Sequence, residues 1–184
     1  MQKFGAFIQA NRKQILGAKI AKYALETRGG LKARGIPVTI MEVESVPAFQ
    51  AFEGKPYRKG YEPFSLMGDL QSFTMTRFMP PELMNYEGRA LVIDPDIFAL
   101  SDITELVDMK MTGTAIVACK KNPWDTSVMV LENAKLKHWK IEDMLADIAT
   151  GKRTYEDIAQ LRSEPEGSVR ELSRLWNNLD TLTP

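Results

Sequence analysis

Three observations predict an α/β fold: a strand, helix and strand pattern opens the chain, a continuous apolar run sits at its middle, and strand and helix patterns follow it to the C-terminus. Lys3 to Ile8 is short, apolar and aromatic and reads as a first strand, broken by Gln9 to Arg12. From Gln14 to Thr27, Leu16, Ile20, Tyr23 and Ala24 share one helical face. That face is predicted to point inward, with Lys19, Lys22 and Glu26 away from it and Gly29-Gly30 as the stop. Pro37 to Val43 is β-branched and reads as the second strand of a crossover. Ala48 to Asp69 is rich in Gly, Pro and aromatic residues and is expected to be a long loop beside a site. Ser72 to Phe78 suits a short helix ended by Pro80-Pro81. Arg89 to Ile93 then has the unbroken apolar character of a central strand buried on both faces. Ala115 to Cys119 and Ser127 to Leu131 are further strands, and Ile141 to Ala149 and Tyr155 to Leu161 carry helical spacing. Thr154 to Asp157 reads as a capping box, and Asp102 with Glu105 as an N-cap and its reciprocal partner. Without a repeat, low-complexity tract or linker, residues 1–184 are expected to form a single domain.

Composition narrows the function. Lys and Arg total 24 and Asp and Glu total 24, so the net charge is zero and the molecule offers no long-range attraction to nucleic acid or an anionic membrane. Cys119 is the one cysteine, which removes any internal disulfide framework and any multi-cysteine zinc site. The first residues lack the apolar centre of a signal peptide, and no run is long enough to cross a bilayer, so a cytoplasmic location is expected.

The informative stretch is Ala90 to Ile97, where Asp94 and Asp96 stand at the end of the most apolar strand. Open α/β sheets bind ligands at the carboxyl ends of their strands. If the backbone stays extended, the period of two aims both carboxylates to one side. Like charges that close repel unless a cation lies between them, and carboxylate oxygens suit Mg²⁺ or Mn²⁺. The plainer alternative is a strand-end turn in which both carboxylates accept backbone amides.

The surroundings carry more. Ser72 to Pro80, then Tyr86 to Asp96, then Asp102 to Leu106, taken in order, resemble the nucleotide-sugar segment of GT-A fold glycosyltransferases, especially family eight and its bacterial relatives. Trp124 to Leu131 resembles a later strand of that family, and Trp176-Asn177-Asn178-Leu179-Asp180 its Trp-Asn segment. The resemblance implies a single GT-A-like domain, a Rossmann-like mixed sheet with flanking helices and a short C-terminal end. It also implies transfer of a sugar from a nucleoside diphosphate donor, a UDP-sugar first, to an unknown acceptor with retention of configuration. Asp94 and Asp96 match the metal and diphosphate motif, with Mn²⁺ or Mg²⁺ as the ion. Arg77 matches a basic residue near the donor, Asp125 stands where many relatives have an Asn touching the sugar, and Ala6, Ile8 and Asn11 match the region that cradles base and ribose.

Each residue also has a structural reading. Arg77 could be a surface cation supporting Glu82 or Glu87, and Ala6 and Ile8 could be core. Relatives supply a His as third metal ligand beyond the Trp-Asn segment. His138 precedes that segment and does not match, so it reads as a solvated residue, and Glu164 and Glu166 read as a solvated loop. A haloacid-dehalogenase-like phosphotransferase also places Asp-x-Asp after an apolar strand, but near the start of its domain, whereas Asp94 is mid-chain. A noncatalytic or truncated nucleotide-sugar-binding domain is the alternative from another class. No catalytic base or nucleophile is identified.

Overall fold

A computed structural model describes residues 3–60 and 62–178 of the chain. Six strands form one mixed sheet: β1 (Phe4–Ala10), β2 (Val38–Glu42), β3 (Arg89–Ile93), β4 (Ile116–Lys120), β5 (Trp124–Glu132) and β6 (Val169–Leu172). Their order across the sheet is β2-β1-β3-β5-β4-β6. β1 runs parallel to both β2 and β3, β5 is antiparallel to β3 and β4, and β6 returns parallel to β4. A parallel neighbour on one side of β3 and an antiparallel one on the other make the sheet mixed. Around it lie α1 (Ile15–Thr27), α2 (Pro47–Gln50), α3 (Pro80–Leu83), α4 (Thr104–Asp108), α5 (Ile141–Thr150) and α6 (Tyr155–Ala159).

The apolar run of β3 is buried on both faces, as its composition predicts. Ala90 and Val92 join a core layer with Phe7, Phe78, Met129 and Trp139, while Leu91 and Ile93 join an opposite layer with Ala6, Ile8, Val128 and Val130. The alternation of strand side chains thus builds two cores from one strand.

α1 differs from expectation. Its buried residues are Ala18, Ala21, Ala24 and Leu25, whereas Leu16 and Tyr23 are 69% and 67% exposed and Ile20 is exposed too. The helix lies too close to neighbouring backbone for large side chains. A Cβ on Gly17 would sit 2.8 Å from the Pro95 carbonyl oxygen, so small residues take the inner face and the larger apolar ones are left outside.

The segment after α2 is a loop with its own packing. Phe49, Phe52, Tyr57 and Phe64 are buried together, and the Tyr57 ring meets that of Tyr155 at 4.8 Å. Arg58 lies over both tyrosine rings at 5.7 and 5.6 Å and pairs with Asp69. Ser72 to Phe78, expected as a helix, is a short 3-10 turn over Thr74–Phe78. The capping box of α6 is present: Asp157 N–H donates to Thr154 Oγ1 at 3.1 Å, and Thr154 N–H donates to an Asp157 carboxylate oxygen at 2.9 Å. At α4 the N-cap is Ile103, with no side-chain cap. Asp102 instead accepts from Thr104 N–H at 2.7 Å, so Glu105 has no reciprocal role. β6 has no counterpart among the expected strands: it is four residues long and two of them are exposed charges. No helix among the described residues is long and apolar enough to cross a membrane.

Candidate functional site

The parallel register of β1 and β3 pairs Ile8 with Ile93, which brings the next residues, Gln9 and Asp94, side by side where the two strands end. Asp94 N–H donates to Ser127 O of β5 at 2.9 Å, fixing the backbone from the other side. Gln9 is fully buried, and its Nε2 donates to Asp94 Oδ1. Arg77, from the 3-10 turn before α3, grips the same carboxylate with both edges of its fork. Its Nε donates to Oδ1 at 2.9 Å and its Nη2 to Oδ2. Its Nη1 donates to Thr126 Oγ1 at 2.8 Å, and that hydroxyl donates to Ala159 O at 2.8 Å, tying the pair to β5 and α6. Both side chains of the ion pair are only 13% exposed. Burial raises the Asp94 carboxyl above its ordinary value against the opposing pull of Arg77 and Gln9.

Asp96 stands apart. It is exposed and makes no hydrogen bond or ion pair with the described residues. It lines a cavity of about 290 Å³ walled by Ile97, Phe98, Leu100, Trp176 and Asn177. Asp125 folds onto its own strand, its Oδ1 accepting from Ser127 N–H at 3.0 Å, and Lys121 lies 3.5 Å from its other oxygen. Burial pushes the Asp125 carboxyl up, but the Ser127 hydrogen bonds and Lys121 outweigh it and leave it below its ordinary value. Ser127 Oγ accepts from Asn177 Nδ2 at 2.8 Å, which links the Trp-Asn segment to β5. Leu179 and Asp180 of that segment lie outside the described residues.

The structure therefore brings together Arg77 and Asp94, with Asp125 near enough to act on Arg77 and Asp96 near enough to act on Asp94 through their charges, whereas Asn11, Ala6 and Ile8 serve elsewhere. Asn11 is buried, and its Nδ2 donates to Leu70 O at 3.0 Å and Ser72 Oγ at 3.1 Å, while its Oδ1 accepts from Gln14 N–H at 3.1 Å. Its amide clamps the long loop. Ala6 and Ile8 have no exposed surface and are core. Arg77 supports neither Glu82 nor Glu87 among the described contacts, because Asp94 holds it. Glu164 is not a solvated loop residue: its side chain is 6% exposed and accepts from Trp139 Nε1 at 2.8 Å, with His138 Nε2 3.0 Å away.

Sequence reasoning missed Gln9 and Thr126. For Gln9 the signal was there, a polar residue closing an apolar strand that runs beside β3. For Thr126 there was none, because its role depends on the antiparallel placement of β5.

A divalent ion held as the Asp-x-Asp motif implies would need both carboxylates to converge on it. At Asp94, Oδ1 accepts two donors and Oδ2 one, so one of about four acceptor positions is left on Oδ2. Among the described residues no group of three His, Cys, Asp or Glu is placed to hold a metal ion.

No protein-family model matches the chain, and no curated protein is similar to it in sequence. Solved structures are similar in fold. The glycosyltransferase GlyE of Streptococcus pneumoniae TIGR4 superposes with a TM-score of 0.65 at 14% identity, over 96% of this chain and 47% of that one. An active-site variant of LgtC gives 0.63 at 13% identity, over 92% of this chain and 73% of that one. Mouse xyloside xylosyltransferase 1 in its apo form gives 0.57 at 12%, over 94% and 86%. The chain thus spans about half the length of GlyE and larger shares of the other two. What these proteins share with it is the architecture, and by that architecture the chain has the GT-A glycosyltransferase fold.

Proposed function

We propose that this domain transfers a sugar from a nucleoside diphosphate donor, with uridine diphosphate as the first nucleotide to test, to an acceptor that the sequence does not name. The observation that carries the reading is the Arg77–Asp94 pair at the carboxyl end of the central strand, with Asp96, which has no partner among the described residues, two residues on. This is where open α/β sheets place ligands. The glycosyltransferases that share the fold support the same class of chemistry.

Within this reading the side chains have distinct tasks. Arg77 uses three of its five N–H donors on Asp94 and Thr126, which leaves two without a described partner for a phosphate oxygen. Asp94 and Gln9 hold that guanidinium in one orientation, so its rotamer entropy is lost on folding and not on binding. The cavity beside Asp96 is largely apolar and suits the less polar part of a bound substrate. Retention of configuration belongs to the same proposal: in attack on the face from which the diphosphate leaves, the acceptor hydroxyl's proton passes to the departing phosphate oxygen, whereas a covalent intermediate requires a nucleophile from the chain.

Calorimetric titration of UDP into the intact chain, with and without Mn²⁺, tests the reading, followed by mass-spectrometric screening of UDP-sugars for hydrolysis or transfer. Saturable UDP binding that is weakened by Asp96→Ala is the expected result. A folded chain that binds no UDP under either condition removes the UDP-sugar reading.

A further inference from the structure

We propose that the outer face of α1, together with the loop tip at residues 67–70, docks the protein on an anionic lipid bilayer. This does not depend on the nucleotide-donor reading.

The first observation is where the exposed apolar side chains lie. Single ones scattered over a surface are ordinary, whereas a cluster marks a face that meets something apolar. Nine large apolar side chains are exposed among the described residues, and five of them belong to this patch. Leu16, Ile20 and Tyr23 follow the i, i+4, i+7 spacing of one helical face, the face that a helix covering a sheet ordinarily gives to polar residues. The close approach at Gly17 accounts for small residues inside. It does not call for Leu, Ile and Tyr outside, where Lys, Glu or Gln would form the helix as well. Met67 and Leu70 extend the face. Lys13 Nζ donates to Gly68 O at 3.4 Å and Gln14 Nε2 to Leu70 O at 3.3 Å, which ties the loop tip to the start of the helix.

The second observation is charge. The chain as a whole is neutral, yet residues 12–34 carry seven Lys and Arg against a single acid, Glu26. Glu26 lies 3.7 Å from Lys22, and Asp69 in the loop tip is held by Arg58. Glu44, beside the start of the helix, accepts from Arg12 N–H at 2.7 Å. Arg12, Lys13, Lys19, Arg28 and Lys32 make no ion pair among the described residues. An apolar stripe with a basic rim suits the headgroup layer of a bilayer. The apolar side chains enter the acyl boundary, the ammonium groups meet lipid phosphates, and tyrosine sits at headgroup level. A second copy of the chain is a poorer occupant, because pairing face to face would set this positive charge against itself.

The patch also begins where β1 ends. Gln9 of β1 reaches Asp94, and Asn11, two residues on, holds the loop tip through Leu70 O. Candidate site and patch therefore flank the same strand end, and a docked chain holds that site close to the membrane surface.

Flotation of the intact chain with vesicles of phosphatidylcholine alone, and of phosphatidylcholine and phosphatidylglycerol in equal parts, tests this. Binding is expected to the anionic vesicles and should weaken when salt is raised to about 1 M, where the screening length falls to about 3 Å. Leu16→Ser with Tyr23→Ser should lower the partition coefficient about tenfold or more while leaving the melting temperature unchanged. Lys19→Gln should lower it about fivefold, the equivalent of about 1 kcal/mol for one basic residue at such a surface. Leu83→Ser, at another exposed apolar position but flanked by Met79 and Met84 of the opposite core layer, should leave binding as it is. Equal binding to both vesicles, binding to neither, or binding that the double variant retains overturns the inference. So does a dimer in light scattering that the double variant dissolves, which assigns the face to a second copy. UDP titration of the same samples reports on the donor reading separately.

Discussion

Arg77 and Asp94 form a pair whose members are worth little separately. Removing the guanidinium by Arg77→Ala leaves a carboxylate that is mostly buried with only Gln9 as partner, and breaking pairs of this kind costs about 3–5 kcal/mol. Urea unfolding should show that loss as a fall in midpoint with an unchanged slope. Arg77→Lys keeps the charge but cannot reproduce the two-pronged contact, so it should fall between the native chain and the alanine variant. Acid sensitivity is also set residue by residue. Hydrogen bonds from Thr154 hold the Asp157 carboxyl below its ordinary value. A depressed folded value means stability that is present above the unfolded value of about 3.9 and lost as pH falls through the folded one. Melting temperature should therefore drop on acidification below about pH 4, and Asp157→Asn should flatten that drop. Asp94 acts with the opposite sign. Burial raises its carboxyl, so ionisation costs stability that returns as pH falls from the folded value toward the unfolded one.

At the scale of elements, α1 shows what a sequence pattern carries and what it omits. Its extent, Ile15–Thr27, is legible from the periodic run and the glycines that follow. Its orientation is not, because a stripe of Leu16, Ile20 and Tyr23 and a stripe of Ala18, Ala21 and Leu25 both satisfy helical spacing. Closeness of approach, a tertiary quantity, chooses between them. Gly17→Ala should push the helix off the Pro95 carbonyl and cost about 1–3 kcal/mol. Tyr23→Ser, on the exposed stripe, should change stability by no more than about 0.5 kcal/mol. Thermal melts of the two variants measured together check both the helix face and the contact. β3 was readable for the opposite reason: burial on both faces leaves an unbroken apolar run that no other arrangement explains as well. β6 was unreadable because an edge strand of four residues needs only the backbone of β4 to form.

For the whole molecule, the two core layers follow from alternation within each strand, the strand order does not, and the fold is recognisable as α/β from the chain alone. The candidate site was half legible. Asp94 and Asp96 could be found because they end a strand, and Arg77 only through the family resemblance, which matches it to a basic residue near the donor. That Arg77 and Asp94 satisfy each other depends on a turn 17 residues upstream folding back over the sheet, and local pattern holds no record of that distance.

The same arrangement has a consequence in time. Asp94 draws its partners from Gln9, 85 residues away, and through Arg77 from Thr126, a further 49 residues along from that arginine. Contacts between such remote segments close late, because the loop entropy is spent before the contact returns anything. A chain leaving the ribosome carries β1 and β3 complete while Thr126 is still unmade, so the carboxylate must wait in water until β5 takes its place. Pulsed hydrogen exchange should then find the amide of Asp94, which binds Ser127, among the last of the central strand to become protected.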